Sequence, residues 1–254
     1  MKVTILGCGP SAGVPRVGDD WGTLNPANPR NRRRRASIMV EAGGRNFLVD
    51  TSPDLREQLL DNHIDQIDAV IWTHDHADHC HGIDDVRAIA IMNRAPIPAY
   101  ARAFTHDALL NRFAYAFEGK EMYPALMTLQ PMADRMEIYD VEVSAVDMPH
   151  GSITSAGLVF EFDGTRIGYA TDFNPITKEM TDHFINLDLL VVDAMRRKPH
   201  PLHPTLDMIL AWTKQIAPSQ TVITHMDSTM DYDQLVQTLP NNVSPAFDGM
   251  RISI

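Results

Sequence analysis

The chain has 254 residues, of which 44% are hydrophobic and 22% are charged, a composition that excludes a disordered or fibrous protein. No run of 18 apolar residues occurs, which argues against a membrane span, and the apolar start is too short for a signal peptide. The net charge of −11 combines +5 over residues 1–49 with −16 over the remainder, which argues against broad nucleic-acid binding. Two cysteines, Cys8 and Cys80, are too few for a disulfide framework and fit a reducing cytoplasm. We therefore expect a single cytoplasmic domain over residues 1–254.

In chain order, the patterns predict a strand over 2–6, a glycine-rich turn over 7–13 and a long loop over 15–31. A helix is predicted over 53–62, with Ser52 as its N-cap and Pro53 at its first position. Further strands are predicted over residues 36–41, 46–50, 69–72, 97–101, 137–148, 157–162, 166–171, 189–193 and 221–225. Further helices are predicted over residues 83–92, 176–185, 205–216 and 231–238. Strands interspersed with helices favour α/β layering.

Two segments have more than one interpretation. An arginine run ends the long loop and contains Arg30, Arg32, Arg33, Arg34 and Arg35. It could bind an anionic substrate or form a solvated loop that pairs with acidic neighbours. Residues 104–123 carry five aromatic side chains, which most often means a contribution to the core. The alternatives for this aromatic segment are a lid, a substrate wall or the face of a homodimer.

The segment Thr73–His79 contains three histidines and two aspartates. Imidazole and carboxylate groups are the ligands that zinc and similar divalent ions prefer. The segment follows the predicted strand 69–72, so its side chains lie where a buried strand ends. Side chains two apart on a strand share a face, so His74 and His76 can hold one ion. Asp78 and His79 point elsewhere and can hold a second ion.

Other apolar runs also end on a potential ligand or carboxylate. A single histidine at a strand end is more often structural than a metal ligand. Several together predict that the strand ends converge on one polar cleft. These residues are Asp50, His150, Asp172, Asp193 and His225.

On these residues the sequence resembles the metallo-β-lactamase-fold hydrolases. The family motif His-x-His-x-Asp-His matches His74, His76, Asp78 and His79, and its later ligands match His150, Asp172 and His225. The resemblance implies an α/β fold, a four-layer αββα sandwich, with two divalent ions between the sheets. It implies one ion on His74, His76, His150 and Asp172, and another on Asp78, His79, Asp172 and His225. The ions are expected to be zinc or manganese, and Asp50 is expected to orient a ligand.

The branch of the family is indicated by other segments. Gly7-x-Gly9-x3-Gly13-Val14-Pro15 and the arginines before Ser37 resemble the phosphodiesterase branch, which includes ribonuclease Z and the phosphodiesterase of phosphonate breakdown. A late histidine of the latter enzyme matches His203, with Asp193 as the partner that orients it. The chain departs from these relatives in two ways. It lacks the cysteine cluster that binds a structural zinc, and it lacks a long insertion able to grip tRNA, so a tRNA substrate is disfavoured.

The resemblance implies hydrolysis of a small cyclic nucleotide or sugar phosphodiester by a metal-bridging hydroxide. Asp78 would belong to the catalytic centre, and His203, held by Asp193, would protonate the leaving alkoxide. The other interpretation of His203 is a loop histidine between prolines. Alternative functions are a thioester or lactone hydrolase of the glyoxalase II type and a non-catalytic binding protein. Substrate contacts are expected from Arg33, Arg34, Ser37 and Arg196.

Overall fold

The computed structural model describes residues 1–120 and 122–254, which build two seven-stranded sheets. The first strands in the chain are β1 (Lys2–Gly7), β2 (Ser37–Ala42), β3 (Arg45–Val49), β4 (Ala69–Trp72), β5 (Ile97–Ala101) and β6 (Met127–Pro131). The later strands are β7 (Arg135–Ile138), β8 (Val141–His150), β9 (Ile153–Phe162), β10 (Thr165–Ala170), β11 (Leu189–Asp193), β12 (Gln220–Thr224), β13 (Val243–Pro245) and β14 (Arg251–Ser253). The first sheet has the order β14-β1-β2-β3-β4-β5-β6, and the second has the order β13-β12-β11-β10-β9-β8-β7.

Helices cover the outer faces of both sheets. They are α1 (Leu55–Asp61), α2 (Ala77–Cys80), α3 (Arg87–Asn93), α4 (Ala103–Glu118), α5 (Lys178–His183), α6 (Leu206–Ile216) and α7 (Tyr232–Thr238). Short 3-10 turns occupy Pro29–Asn31 and Ile83–Val86. Within the described ranges, no helix has both the length and the apolar character needed to cross a bilayer.

The layer order follows from the alternation of side chains along each strand. In β3, Phe47 belongs to the core between the sheets, whereas Leu48 belongs to the core beneath the outer helices. Period-two alternation produces this division, because successive strand side chains point to opposite faces. Across the sheets, the rings of Phe47 and Phe160 lie 5.7 Å apart. On the outer face of the second sheet, the ring of Phe184, directly after α5, lies 5.6 Å from the ring of Trp212 in α6. The predicted four-layer αββα sandwich is confirmed.

Most predicted elements are present, and the differences have local causes. The predicted strand 137–148 is two strands, β7 and β8, because Tyr139 turns the chain with a φ of 55°. The predicted helix 53–62 begins only at Leu55, since the Ser52 hydroxyl accepts the Asp54 N–H before the helix starts. The predicted helix 83–92 is a 3-10 turn followed by α3. Strands β13 and β14 are too short for a periodic pattern to reveal.

The aromatic segment 104–123 consists largely of α4. Phe113 and Phe117 pack against the outer core, as the core interpretation predicts. That interpretation is wrong for Phe104, Tyr115 and Tyr123, whose exposed fractions are 57%, 49% and 68%. Helical geometry explains the exposure of Phe104 and Tyr115, because one face of α4 meets the sheet while the other meets solvent. Tyr123 lies beyond the end of α4.

Hydrogen bonds hold the loop over residues 18–25 against the segment that follows β12. The Thr23 N–H donates to the Ser228 carbonyl at 3.0 Å, and the Asn25 N–H donates to Asp231 Oδ2 at 3.3 Å. Gly22 has a φ of 59°, and a Cβ there would lie 2.6 Å from the Ser228 carbonyl oxygen. Only glycine therefore permits this close approach of the two loops.

Candidate active site

The candidate site lies where parallel strands of both sheets end. β3 and β4 are parallel in the first sheet, and β10, β11 and β12 are parallel in the second. Asp50 and His225 directly follow β3 and β12, and Asp172 follows β10 after one intervening residue; their φ values are 64°, 57° and 60°. A left-handed conformation is costly for residues other than glycine, and such residues cluster at functional sites.

One group of nitrogen ligands comes from both sheets. His74 and His76 follow β4, and His150 ends β8. His150 Nε2 lies 3.2 Å from His76 Nδ1 and 3.8 Å from Asp172 Oδ1. Each of the three histidines has one potential ligand atom within 4.8 Å of those of the other two. A single ion could therefore contact all three. The structure therefore brings together the set expected for the first ion.

A second group adjoins the first. His79 Nε2 lies 3.3 Å from Asp78 Oδ2 and 3.2 Å from Asp172 Oδ2. His225 Nε2 lies 3.5 Å from Asp172 Oδ2 and 3.8 Å from Asp78 Oδ2. Asp172 thus presents Oδ1 to the first group and Oδ2 to the second. Asp172 is therefore the residue that contacts both groups.

The hydrogen-bond pattern of the cluster fits metal binding. Within the two described ranges, five buried atoms of the two ligand groups have no hydrogen-bond partner: His74 Nε2, Asp78 Oδ2, His79 Nε2 and both ring nitrogens of His225. Buried polar atoms are normally hydrogen-bonded, so convergent atoms without a partner need an explanation. Imidazole nitrogens with a few carboxylate oxygens form the donor set that zinc and related ions take. The residues present therefore fit divalent cations.

Burial and the neighbouring carboxylates shift the pKa values of the cluster histidines in opposite directions. Burial lowers the pKa of His74 and of His150, which keeps their ring nitrogens free to bind a cation. Burial also acts against the charge on His225, but Asp172 and Asp193 raise the pKa of His225 to about 9. Asp172, Asp78 and Asp50 likewise overcome burial and raise the pKa of His79 well above its usual value. A metal ion at the second group must therefore displace protons.

A layer of hydrogen bonds orients the histidines. His79 Nδ1 lies 2.7 Å from Asp50 Oδ2, and Asp50 also accepts the Thr73 N–H at 2.7 Å. The Thr73 hydroxyl contacts His74 Nδ1 at 3.0 Å, and the Leu202 carbonyl lies 3.2 Å from His150 Nδ1. Partners on Nδ1 direct Nε2 into the centre. Asp50 thus makes the contact that its predicted orienting role requires.

His203 and Asp193 lie beside the cluster. His203 Nδ1 is 2.7 Å from the buried Asp193 Oδ2 and 3.8 Å from Asp172 Oδ1. The His203 ring stacks on the His225 ring, with centroids 4.9 Å apart and planes at 16°. Because Nδ1 is engaged by Asp193, Nε2 is the nitrogen of His203 that remains for a substrate.

The four side chains predicted to contact substrate each contact another part of the protein. The buried Arg33 guanidinium donates to the Met226, Asp227 and Met230 carbonyls, just after His225. The Ser37 hydroxyl donates to the Asp50 carbonyl at 2.9 Å. Arg34 pairs with Asp61, and Arg196 donates to the Lys198 and Pro199 carbonyls in the loop that leads to His203. Direct contact of these four with substrate stays a prediction, and the hydrogen bonds of Arg33, Ser37 and Arg196 favour a positioning role for these three.

One contact of the metal segment was not apparent from the sequence. Arg112 of α4 pairs with Asp75, with Nη2 at 2.8 Å from Oδ2 and Nη1 at 2.5 Å from the Asp75 carbonyl. Asp75 lies between His74 and His76, so Arg112 fastens the turn that carries both. A single arginine in an aromatic helix gives no pattern that sequence reasoning can detect.

Comparison with known proteins places the chain in a family. Residues 45–226 match the Beta-lactamase superfamily domain, and this range contains every histidine and aspartate of the cluster. The chain belongs to the beta-lactamase superfamily. A crystal structure described as a new diphosphatase from the PhnP family superposes with a TM-score of 0.90 at 33% identity, over 100% of this chain and 97% of that one. Membership of this superfamily and of its phosphodiesterase branch, predicted from the motifs, is confirmed.

Two further relatives are informative. Zn²⁺-bound PqqB from Methylobacterium extorquens has the same fold, with a TM-score of 0.79 at 19% identity over 100% of both chains. An octanoyltransferase of Porphyromonas gingivalis is 29% identical over all of this chain but only 52% of its own length. The chain thus spans about half of that curated relative.

Proposed function

We propose that the protein is a phosphodiesterase that uses two divalent ions, zinc or manganese, and acts on a small cyclic nucleotide or sugar phosphodiester. The observation that carries this proposal is the pair His203–Asp193 beside a double cluster centred on Asp172. We assign one ion to His74, His76, His150 and Asp172, and the other to Asp78, His79, Asp172 and His225. Divalent ions bound there would supply Lewis-acid stabilisation and an activated water.

The chain's own residues have distinct roles in this proposal. Asp78 and Asp172 hold the ions while leaving a net positive centre that attracts a phosphodiester anion. Asp193 fixes the His203 ring through Nδ1, so that Nε2 can give its proton to the leaving oxygen. Asp50, through His79 Nδ1, keeps the second ligand group aligned.

His203 also separates a phosphodiesterase from a thioester hydrolase. A thiol has a pKa near 8.5, so a thiolate leaves without receiving a proton, whereas an alkoxide is far more basic. A thioester hydrolase therefore gains little from an oriented acid, and a phosphodiesterase gains about 10²- to 10⁴-fold. A histidine that Asp193 orients beside the cluster therefore supports phosphodiester hydrolysis.

The comparisons support the same choice. The PhnP-family structure is described as a diphosphatase, which hydrolyses a phosphate linkage, and the PqqB structure holds zinc in the same fold. The octanoyltransferase name belongs to a protein about twice as long, and acyl transfer enters here only as an alternative to be tested. We further propose a cytoplasmic protein that acts as one domain, with a small-molecule substrate rather than tRNA.

The test compares bis(p-nitrophenyl) phosphate with S-lactoylglutathione and an octanoyl thioester, using zinc- and manganese-loaded protein. We expect turnover of the phosphodiester and loss of that turnover when the metal is removed. His63→Ala is the control for histidine substitutions, because His63 is exposed on the turn after α1. Hydrolysis of the thioesters alone would contradict the proposal.

A further inference from the structure

One loop of the second half contacts both parts of the candidate site. It comprises residues 196–203, between β11 and α6. The loop ends on His203, the histidine that Asp193 orients at 2.7 Å. One residue earlier, the Leu202 carbonyl lies 3.2 Å from Nδ1 of His150, a member of the first ligand group. The position of this loop therefore affects the proposed acid and a proposed metal ligand together.

Packing places the end of the loop over the turn that follows β8. Gly151, directly after His150, has a φ of 63°, and a Cβ there would lie 2.9 Å from Leu202 Cδ2. Glycine permits both the left-handed conformation and this close approach. The Leu202 side chain thus lies on Gly151 while the Leu202 carbonyl contacts the ring of His150.

Asn174 holds the same loop from the segment that follows β10. Its Nδ2 donates to the His200 carbonyl at 3.0 Å and to the Pro201 carbonyl at 3.2 Å. Its backbone N–H donates to the Pro149 carbonyl at 2.8 Å, at the end of β8. Asn174 also comes two residues after Asp172, the carboxylate that contacts both ligand groups. One half-buried side chain therefore connects the loop to the two strand ends that carry proposed ligands.

The composition of the loop explains why an outside donor matters. Pro199 and Pro201 have no backbone N–H to donate, so the loop has few donors of its own. The contacts of Arg196 with the Lys198 and Pro199 carbonyls lie within the loop. The two hydrogen bonds of Asn174 come from outside the loop, and a carboxamide nitrogen has the two N–H groups that they require.

We infer that Asn174 is a positioning residue, which acts on His203 and on His150 through the loop that it holds. The inference rests on the proposed function, because it takes His203 as the acid for the leaving oxygen. Release of the loop would let His203 Nε2 move away from that oxygen, and a displacement of about 1 Å can cost ~10²-fold in rate. Release would also weaken the contact between the Leu202 carbonyl and His150 Nδ1.

The experiment compares variants at position 174 with a matched control. Asn174→Ala removes both donors, and Asn174→Gln keeps the amide on a longer side chain. Asn174→Asp keeps the size without the donors and serves if Asn174→Ala fails to fold. Asn46→Ala is the control, because the half-buried Asn46 also donates its Nδ2 to a carbonyl, that of Gln66 at 3.2 Å, at the opposite end of β3 from Asp50.

Two esters of thymidine 5′-phosphate are compared at saturating zinc. The p-nitrophenyl ester has a weakly basic leaving group, whereas the methyl ester releases an alkoxide that needs a proton. Loss of two hydrogen bonds predicts that Asn174→Ala lowers kcat for the methyl ester about ten- to a hundredfold, and for the p-nitrophenyl ester less than about threefold. Asn174→Gln should recover part of this loss, and Asn46→Ala should turn over both esters like wild type.

A double variant tests whether Asn174 acts through His203. Residues that act through one group are not additive, so Asn174→Ala should lose its selective effect on the methyl ester in a His203→Ala background. The inference is overturned if Asn174→Ala slows both esters equally, or if the selective loss is the same with and without His203. A purely structural defect would slow both esters alike.

Measurements without turnover separate this inference from the proposed function. Chelator competition should show zinc affinity about tenfold weaker in Asn174→Ala, a usual cost of loosening the partner of a ligand. NMR of protein labelled with ¹⁵N-histidine should show faster exchange of the Nδ1 protons of His150 and His203. If neither ester is hydrolysed, the proposed function fails, and these two measurements still decide the role of Asn174. Proton exchange as slow as in Asn46→Ala would overturn the inference.

Discussion

The two sheets contribute to the candidate site in different ways. The first sheet supplies His74, His76, Asp78 and His79 from one turn, which Thr73, Asp50 and Arg112 fasten by short contacts. The second sheet supplies one side chain per strand end or loop: His150, Asp172, Asp193, His203 and His225. The first half is therefore set by local geometry, whereas the second depends on the register of the whole sheet. Substitutions in the two halves should have different consequences.

The largest effect is expected at Asp172, the carboxylate between both ligand groups. Asp172→Ala should remove both ions and reduce turnover by more than the ~10²–10³-fold that loss of one stabilising donor costs. Metal content by elemental analysis, measured beside turnover, tests this expectation. Asp172→Asn keeps the size of the side chain and should lose metal as well. Full metal content in Asp172→Asn would contradict a shared ligand at this position.

His203→Ala is expected to separate chemistry from metal binding. The variant should keep its metal and lose about 10²- to 10⁴-fold in turnover of alkyl phosphodiesters, with a smaller loss for p-nitrophenyl esters. His76→Ala is the contrasting variant, since it should lose metal and activity together. Unchanged turnover of an alkyl phosphodiester by His203→Ala would remove this residue from the mechanism.

Asp50→Ala tests the support of the first half. Loss of the 2.7 Å contact to His79 should weaken metal binding by about 10- to 100-fold, the usual cost of removing an orienting partner. Competition with a chromophoric chelator measures the affinity. Asp68→Ala, which removes a carboxylate that lies directly before β4 and pairs with Arg45, is the control and should bind metal normally. Equal affinity in Asp50→Ala and wild type would refute the orienting role.

The pH dependence of metal binding tests the second half. His225 has its pKa raised to about 9, so in the metal-free fold its proton contributes stability that is full below pH 6.5 and lost as the pH rises through about 9. Metal must displace that proton and the proton of His79, whose pKa is also raised, so its apparent affinity should rise by at least about tenfold per pH unit below pH 9. Chelator competition between pH 6.5 and 8.5, with proton release followed calorimetrically, provides the measurement. A flat profile would mean that His225 is already neutral.

The smallest effect is expected at Arg112. Its side chain is 40% exposed, and exposed ion pairs contribute at most about 1 kcal/mol. Arg112→Gln should therefore lower metal affinity by no more than about fivefold. Arg87→Gln, which breaks an exposed pair with Asp84, is the control. A loss as large as that of Asp50→Ala would show that α4 controls the turn.

The sequence predicted the cluster well because its signals are local. The segment from His74 to His79 is recognisable by its density of histidine and aspartate. Asp172 and His225 are recognisable because each directly follows an apolar run. The arginine run shows where such reasoning ends. Arg33 and Arg35 are two residues apart, yet one is buried against carbonyls near His225 while the other lines a cavity. Their partners are distant in the chain, so no local pattern distinguishes them.

The sequence by itself determined the fold class, the contiguous ligands and the order of the strand-end residues. These features depend on hydrophobic periodicity and residue chemistry, which involve only neighbours along the chain. Only the tertiary structure decided that Asp172 lies between two ligand groups, that Arg33 supports a loop, and that Arg16 and Arg35 face a cavity beside Asp78. The physical reason is that these relations depend on how two sheets meet. A shift of one residue in register would turn every such side chain to the opposite face.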